Sequence, residues 1–127
     1  MRLVLDTSAF YYARALRRVP RGDRVIVPAV AFAERARQLK RDGRASPAAF
    51  HGSLADRGWK VEAFREEHAL RAAHLAPVDD ARWQDLARDV LVAAHVRPDD
   101  VLLTANVGDF LALGLPAARL RDPSRVV

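Results

Sequence analysis

Apolar residues along this chain fall into short continuous runs separated by longer stretches with helical spacing. Leu3-Val4-Leu5, Val25-Ile26-Val27 and Val101-Leu102-Leu103 are too short for helices and lack the alternation of a strand with one wet face, so each predicts a strand buried on both sides. After the first run, Asp6-Thr7-Ser8 leads into a predicted helix over Ala9 to Arg18, with Thr7 or Ser8 as its cap. Pro28, placed where proline suits the first turn of a helix, predicts a second one reaching about Arg41 and ended by Asp42-Gly43. Ser46-Pro47 opens a helix to about Asp56, Trp59 to Phe64 alternates like a strand, and Arg65 to Leu75 returns to helix before Pro77. From Asp79 to His95 the apolar positions Leu86, Val90, Ala93 and Ala94 recur at helical spacing, and a last short strand is expected over Ala118 to Leu120.

Buried strands alternating with helices describe an α/β domain: a central, mostly parallel sheet with helices on both faces in three layers. No repeat, low-complexity stretch or linker interrupts the pattern, and 127 residues suit one domain over 1–127. Ligands of such sheets bind beyond the carboxyl ends of the strands. That directs attention to Asp6 to Ser8, to the helix after Pro28, and to Thr104 to Asp109.

Each acid in these regions has an ordinary explanation when taken alone. Asp6 could cap the next helix, Asp109 could serve a turn, and Glu34 could mark the edge of the apolar stripe carrying Val30 and Ala31. Asp89 opens the nearly continuous apolar stretch Val90-Leu91-Val92-Ala93-Ala94, which should pack on the sheet. A doubly wound topology could bring all four to one rim. Such a cluster persists only when a cation or protons neutralise it.

Composition narrows the chemistry. With no cysteine, a metal would have to be held by oxygen or imidazole, and oxygen ligands favour Mg2+ or Mn2+. The net charge is +5 and the pI near 10.6, carried almost wholly by arginine, since Lys40 and Lys60 are the only lysines. Arginine forks suit phosphates, although an Ala-, Arg- and Leu-rich composition would also produce the excess. No run of about 18 apolar residues and no basic-then-apolar leader is present, so a soluble, cytoplasmic protein is expected.

Four segments together resemble the PIN domains, and among them the VapC-like toxins of toxin–antitoxin pairs. They are Leu3-Val4-Leu5-Asp6-Thr7-Ser8, Val27-Pro28 with Glu34 in the following helix, Asp89-Val90-Leu91-Val92-Ala93-Ala94, and Leu103-Thr104-Ala105-Asn106-Val107-Gly108-Asp109-Phe110. They run through almost the whole chain in the order of that family. The resemblance implies a PIN-like three-layer α/β/α fold and an endoribonuclease in which Asp6, Glu34, Asp89 and Asp109 hold Mg2+ or Mn2+. It implies Ser8, Thr104 and Asn106 as supporting or water-positioning groups, a homodimer, and an antitoxin that blocks the site. Asp89 lies inside a long helical pattern and does not open a helix, which leaves Asp85 as a substitute for it. Arg14, Arg17 and Arg18, on the helix after Asp6, are candidates for contacts to RNA.

Other constellations are poorer. His51, His68, His74 and His95 form no pair at a metal-binding spacing, and His95 reads as a helix cap or edge residue. No glycine starts a phosphate loop. Tyr11, Tyr12, Trp59 and Trp83 could stack on bases, with packing the commoner use of such residues. A phosphoacceptor receiver would need a late lysine, and none follows Lys60; a haloacid-dehalogenase-like phosphatase would need an acid where Ser8 stands. The alternatives left are a catalytically silent PIN-like module that binds RNA or protein, and a solitary RNA-processing nuclease with no antitoxin.

Overall fold

The computed structural model describes residues 1–125, so the last two positions of the expected domain fall outside it. Five strands make one sheet: β1 (Arg2–Leu5), β2 (Arg24–Pro28), β3 (Lys60–Glu62), β4 (Val101–Leu103) and β5 (Leu120–Arg121). Their order is β3-β2-β1-β4-β5 and every pairing is parallel. The three continuous apolar runs are the three central strands, where both faces are covered. Val4 and Leu5 on β1, Val27 on β2 and Leu102 on β4 have no exposed surface. The expected three-layer α/β/α arrangement is therefore present, with a sheet that is wholly parallel.

The helices are α1 (Ala13–Arg17), α2 (Ala29–Arg41), α3 (Pro47–Asp56), α4 (Glu66–Leu75), α5 (Asp80–Ala93) and α6 (Val107–Ala112). Ser46 caps α3 by accepting from the Ala49 N–H, and Asp79 caps α5 by accepting from the Arg82 N–H. Helix α2 ends at Asp42, with Gly43 at φ +66°, a conformation glycine adopts without steric cost. Buried Ala31, Ala36 and Leu39 of α2, Phe50 and Leu54 of α3, and Leu86, Val90, Val92 and Ala93 of α5 meet the strands in one hydrophobic core.

Three local expectations change. The single helix over Ala9 to Arg18 is a 3-10 segment, Thr7–Tyr11, followed by the short α1. Neither Thr7 nor Ser8 caps it: Asp6 does, accepting from the Thr7 N–H at 2.8 Å. The strand over Trp59 to Phe64 shortens to Lys60–Glu62, and the last strand moves to Leu120–Arg121, since Ala117–Arg119 form a 3-10 turn. Edge strands with one neighbour have few ladder bonds to extend them, which is why their limits are poorly set by apolar pattern.

The chain builds outward from β1 to β2 and β3, then returns to place β4 on the other side of β1. A switch of this kind leaves a crevice beyond the carboxyl ends of β1 and β4, where the connections diverge. Asp6 and Thr104 are the residues that follow those two strands.

Candidate functional site

Asp6 is 3% exposed and held from three directions. Its Oδ1 accepts the Thr7 N–H, and its Oδ2 accepts the Ser8 hydroxyl at 2.9 Å and the Thr104 hydroxyl at 2.8 Å. Both hydroxyls are themselves fixed by the turn between β4 and α6. The Ala105 N–H donates to Ser8 Oγ at 2.9 Å, and the Asn106 N–H donates to Thr104 Oγ1 at 3.0 Å. With backbone donors on their lone pairs, the hydroxyls turn their protons to Asp6, so its carboxylate plane is set by a hydrogen-bonded chain. Ser8 and Thr104 therefore have a structural basis as supporting groups, whereas Asn106 contributes its backbone and leaves its exposed side chain at the mouth.

Glu34, on α2, is drawn in by two donors. The Thr7 hydroxyl donates to Oε1 at 2.9 Å and Arg88 of α5 donates to Oε2 at 2.6 Å. Asp6, Thr7, Ser8, Tyr11, Glu34, Gln38, Arg88 and Asn106 line one cavity of about 200 Å3.

Asp89 lies behind them. It is 4% exposed, and its Oδ1 is buried with no hydrogen-bond partner among the described residues. Burial pushes its carboxyl up to about 6, and the charges of Asp6 and Asp109 push the same way. Arg88, next in sequence, opposes them with its positive charge. Asp109 is exposed in the first turn of α6, close enough to act on Asp89. Asp85, one turn before Asp89, is exposed and takes no part in this group. The four acids share one neighbourhood, yet no three of them bring oxygens within 4.8 Å of one another.

Arg14, Arg17 and Arg18 are exposed on and just after α1, and none of them lines the cavity that contains Asp6 and Glu34. Arg88 is the cation that does.

A second polar cluster was hidden in the sequence. His95 is no helix cap: it sits 1% exposed just past α5, with Nδ1 2.7 Å from Glu62 Oε1. His68 Nε2 is 3.1 Å from that same oxygen, and the two imidazoles stack with centroids 4.2 Å apart. Arg2 donates to Glu62 Oε2 at 2.6 Å, to the His95 carbonyl at 3.1 Å, and also to Asp100. Burial alone would raise the Glu62 carboxyl, but hydrogen bonds from His95 and Arg2 outweigh it and hold the group at about 2. Burial lowers His95 below the usual imidazole range.

Glu62, His68 and His95 have ligand atoms within 4.8 Å of one another, a spacing a metal could use. The tautomer of His68 opposes that use. Its Nδ1 accepts the Arg65 N–H at 2.8 Å, so a neutral ring carries its proton on Nε2 and gives it to Glu62, leaving no lone pair there for a metal. Two residues far apart in sequence and a glutamate on an edge strand make this a contact that spacing rules do not reveal.

No model of a known protein family and no curated protein matches the chain. Solved structures do. A chain of VapBC-1 from nontypeable Haemophilus influenzae is 19% identical with a TM-score of 0.67, covering 98% of this chain and 100% of that one. A chain of VapBC2 from Rickettsia felis, solved bound to a DNA fragment from their promoter, is 15% identical with a TM-score of 0.68, covering 96% and 98%. This chain has the VapBC-type, PIN-like fold. The likeness spans both chains end to end, so the fold expected from the four segments stands. Among the described residues no helix is long and apolar enough to cross a membrane.

Proposed function

We propose that the protein is a divalent-metal-dependent endoribonuclease of the VapC-like toxin type, with Asp6, Glu34, Asp89 and Asp109 as the metal ligands. The observation that carries this reading is the state of Asp89. A carboxylate buried with one oxygen unpartnered and two further carboxylates beside it is costly while ionised, since its hydrogen bond with Asp109 requires a proton on one of the pair. A hard cation would relieve it, and an all-oxygen donor set fits Mg2+ or Mn2+. Fold supports the same reading, since the solved chains it matches belong to VapBC assemblies.

A divalent cation held there would neutralise charge on a phosphodiester and acidify a water for attack on phosphorus. The chain's own residues supply the rest. Thr7, Ser8 and Thr104 fix the Asp6 carboxylate through three hydrogen bonds, so no side-chain reorganisation is needed when substrate arrives. Thr7 and Arg88 orient Glu34, and Arg88, 59% exposed along its side chain, has reach to turn from Glu34 toward a substrate phosphate.

RNA is the proposed substrate, a cognate antitoxin and a second copy of the chain are the proposed partners, and the cytoplasm the proposed location. The test is cleavage of mixed-sequence RNA with Mn2+ or Mg2+, with chelator, and by Asp6→Asn and Asp89→Asn. Metal-dependent cleavage lost in both variants supports the proposal. Cleavage that survives the chelator or either substitution refutes it.

A further inference from the structure

We propose that Tyr11, backed by Arg35 and flanked by Gln38, is a subsite that binds one unpaired nucleobase of a single-stranded RNA next to the carboxylates. This rests on the nuclease reading and adds to it the side chains that would seat a base. Tyr11 ends the 3-10 segment that starts right after Asp6, which puts its ring in the same cavity as Asp6, Glu34 and Arg88. It is 60% exposed, an unusual outlay of aromatic surface beside a polar pocket.

One face of the ring is supported. The Arg35 guanidinium carbon lies 5.1 Å from the ring centroid, and Arg35 itself is only 8% exposed. A cation over one face anchors the ring, and the remaining aromatic surface stays open to solvent. Nucleobases stack on such surfaces whatever their sequence, provided they are not already paired and stacked in a duplex.

Gln38 adds an edge contact. Arg35 Nη1 donates to Gln38 Oε1 at 3.4 Å. A guanidinium has only donors, so the amide turns its oxygen toward Arg35 and its NH2 away, and that NH2 has no acceptor among the described residues. Gln38 lies one turn after Glu34 on α2, so its free donors and the stacking ring share one cavity with the proposed metal ligands. Base carbonyl and ring nitrogen acceptors match them. Arg88 stands in the same cavity as the cation for the adjoining phosphate.

The test is equilibrium binding, by fluorescence anisotropy in calcium, of a labelled single-stranded RNA, its duplex, and a set with one abasic site moved along the strand. For the parent, one abasic position should weaken binding about 5- to 100-fold, and the duplex should bind more weakly than the single strand. Tyr11→Leu should lose a similar factor on intact RNA and become indifferent to that abasic position, whereas Tyr11→Phe should keep both. Melting curves with and without Mn2+ should give Tyr11→Leu the parent's metal response. A flat abasic scan with the parent overturns the subsite even if Tyr11→Leu fails to fold. So does Tyr11→Leu binding within twofold of the parent. A flat scan alongside intact metal-dependent cleavage sinks the subsite alone; absence of both RNA binding and cleavage sinks the nuclease reading with it.

Discussion

Replacing Asp89 by asparagine isolates the feature on which the proposed chemistry depends. The carboxyl stands at about 6 in the folded chain against an ordinary 3.8. A carboxyl with a raised folded value contributes stability that is fully present below 3.8 and lost as pH rises through about 6. The difference, about two units at roughly 1.4 kcal/mol each, sets an upper figure of about 3 kcal/mol for the cost of keeping Asp89 ionised without metal. Relaxation and water entry reduce that, so the gain expected from Asp89→Asn in chelator at pH 8 is about 1–3 kcal/mol. For a domain of this size, that is a rise in Tm of roughly 4–11 °C. The gain should shrink toward zero by pH 4, where the parent carboxyl is also neutral. Manganese should raise the parent's Tm with concentration, as any ligand specific to the folded state does, and raise that of the variant much less. Thermal melts at pH 4, 6 and 8, with chelator and with Mn2+, give all four comparisons. A variant less stable than the parent at pH 8 in chelator, and equally responsive to Mn2+, would show that Asp89 is a structural acid and would remove the main support for the metal site.

Further outcomes follow from the same geometry. Thr104→Val keeps the shape but removes the donor to Asp6 and the acceptor for the Asn106 N–H; it should cost about 1–3 kcal/mol in chelator melts and lower cleavage without abolishing it. Glu62→Gln leaves Arg2 with Asp100 as its remaining carboxylate and is expected to destabilise by about 2–4 kcal/mol above pH 5, read by denaturant unfolding, with the Mn2+ response unchanged. Because Glu62 is held low, its contribution is present above its usual 4.5 and lost as pH falls through about 2, so the penalty should fade in acid. RNA binding should weaken steeply with salt, and the slope should fall by about 1 in Arg88→Ala; neutralising Arg14, Arg17 and Arg18 together distinguishes a wider basic rim, by a further fall, from a groove confined to the cavity, by none.

How much of this was legible in the chain depended on how local the signal was. The central strands were legible, because a strand covered on both faces must be apolar at every position, as Leu3, Val4 and Leu5 are. Helix α3 announced itself through Ser46-Pro47, whose cap acts over three residues, and α5 through the helical spacing of Leu86, Val90, Ala93 and Ala94. The segment after Asp6 was misjudged for the opposite reason. Asp6 caps it through the adjacent N–H, while the Ser8 hydroxyl turns back to Asp6 and the Thr7 hydroxyl donates to Glu34, 27 residues along the chain, a partner that local pattern does not reveal. Asp89 stood out through its place among four acids in the order of the resembled family, and its apolar neighbours add a physical reason, because an acid in a stretch that packs on a sheet needs a partner. Arg88 and Gln38 escaped notice because a helix surface carries many polar residues, and only the packing of α5 against α2 shows which of them face the cavity.

The two buried polar clusters explain why residue type alone could not separate structure from chemistry. Both contain acids withdrawn from solvent, Asp89 fully and Glu62 in part, and the Glu62 group even offers imidazoles, the more familiar metal ligands. Yet Glu62 has both oxygens filled, by Arg2 on one and two imidazoles on the other, and its proton is held less tightly than usual. That carboxylate is fully bonded, and adding a cation there would cost it hydrogen bonds already made, although the neighbouring His95 Nε2 is buried with no partner among the described residues. Asp89 is the reverse: one oxygen has no donor, its nearest charged company is of the same sign, and its proton is held more tightly than usual. The opposite displacements of these two carboxyls thus follow their opposite states of satisfaction. Glu62 stabilises the chain as a carboxylate, while Asp89 is at ease only when a proton or a cation neutralises it, and that distinction directs the search for a cation to the rim beyond β1 and β4.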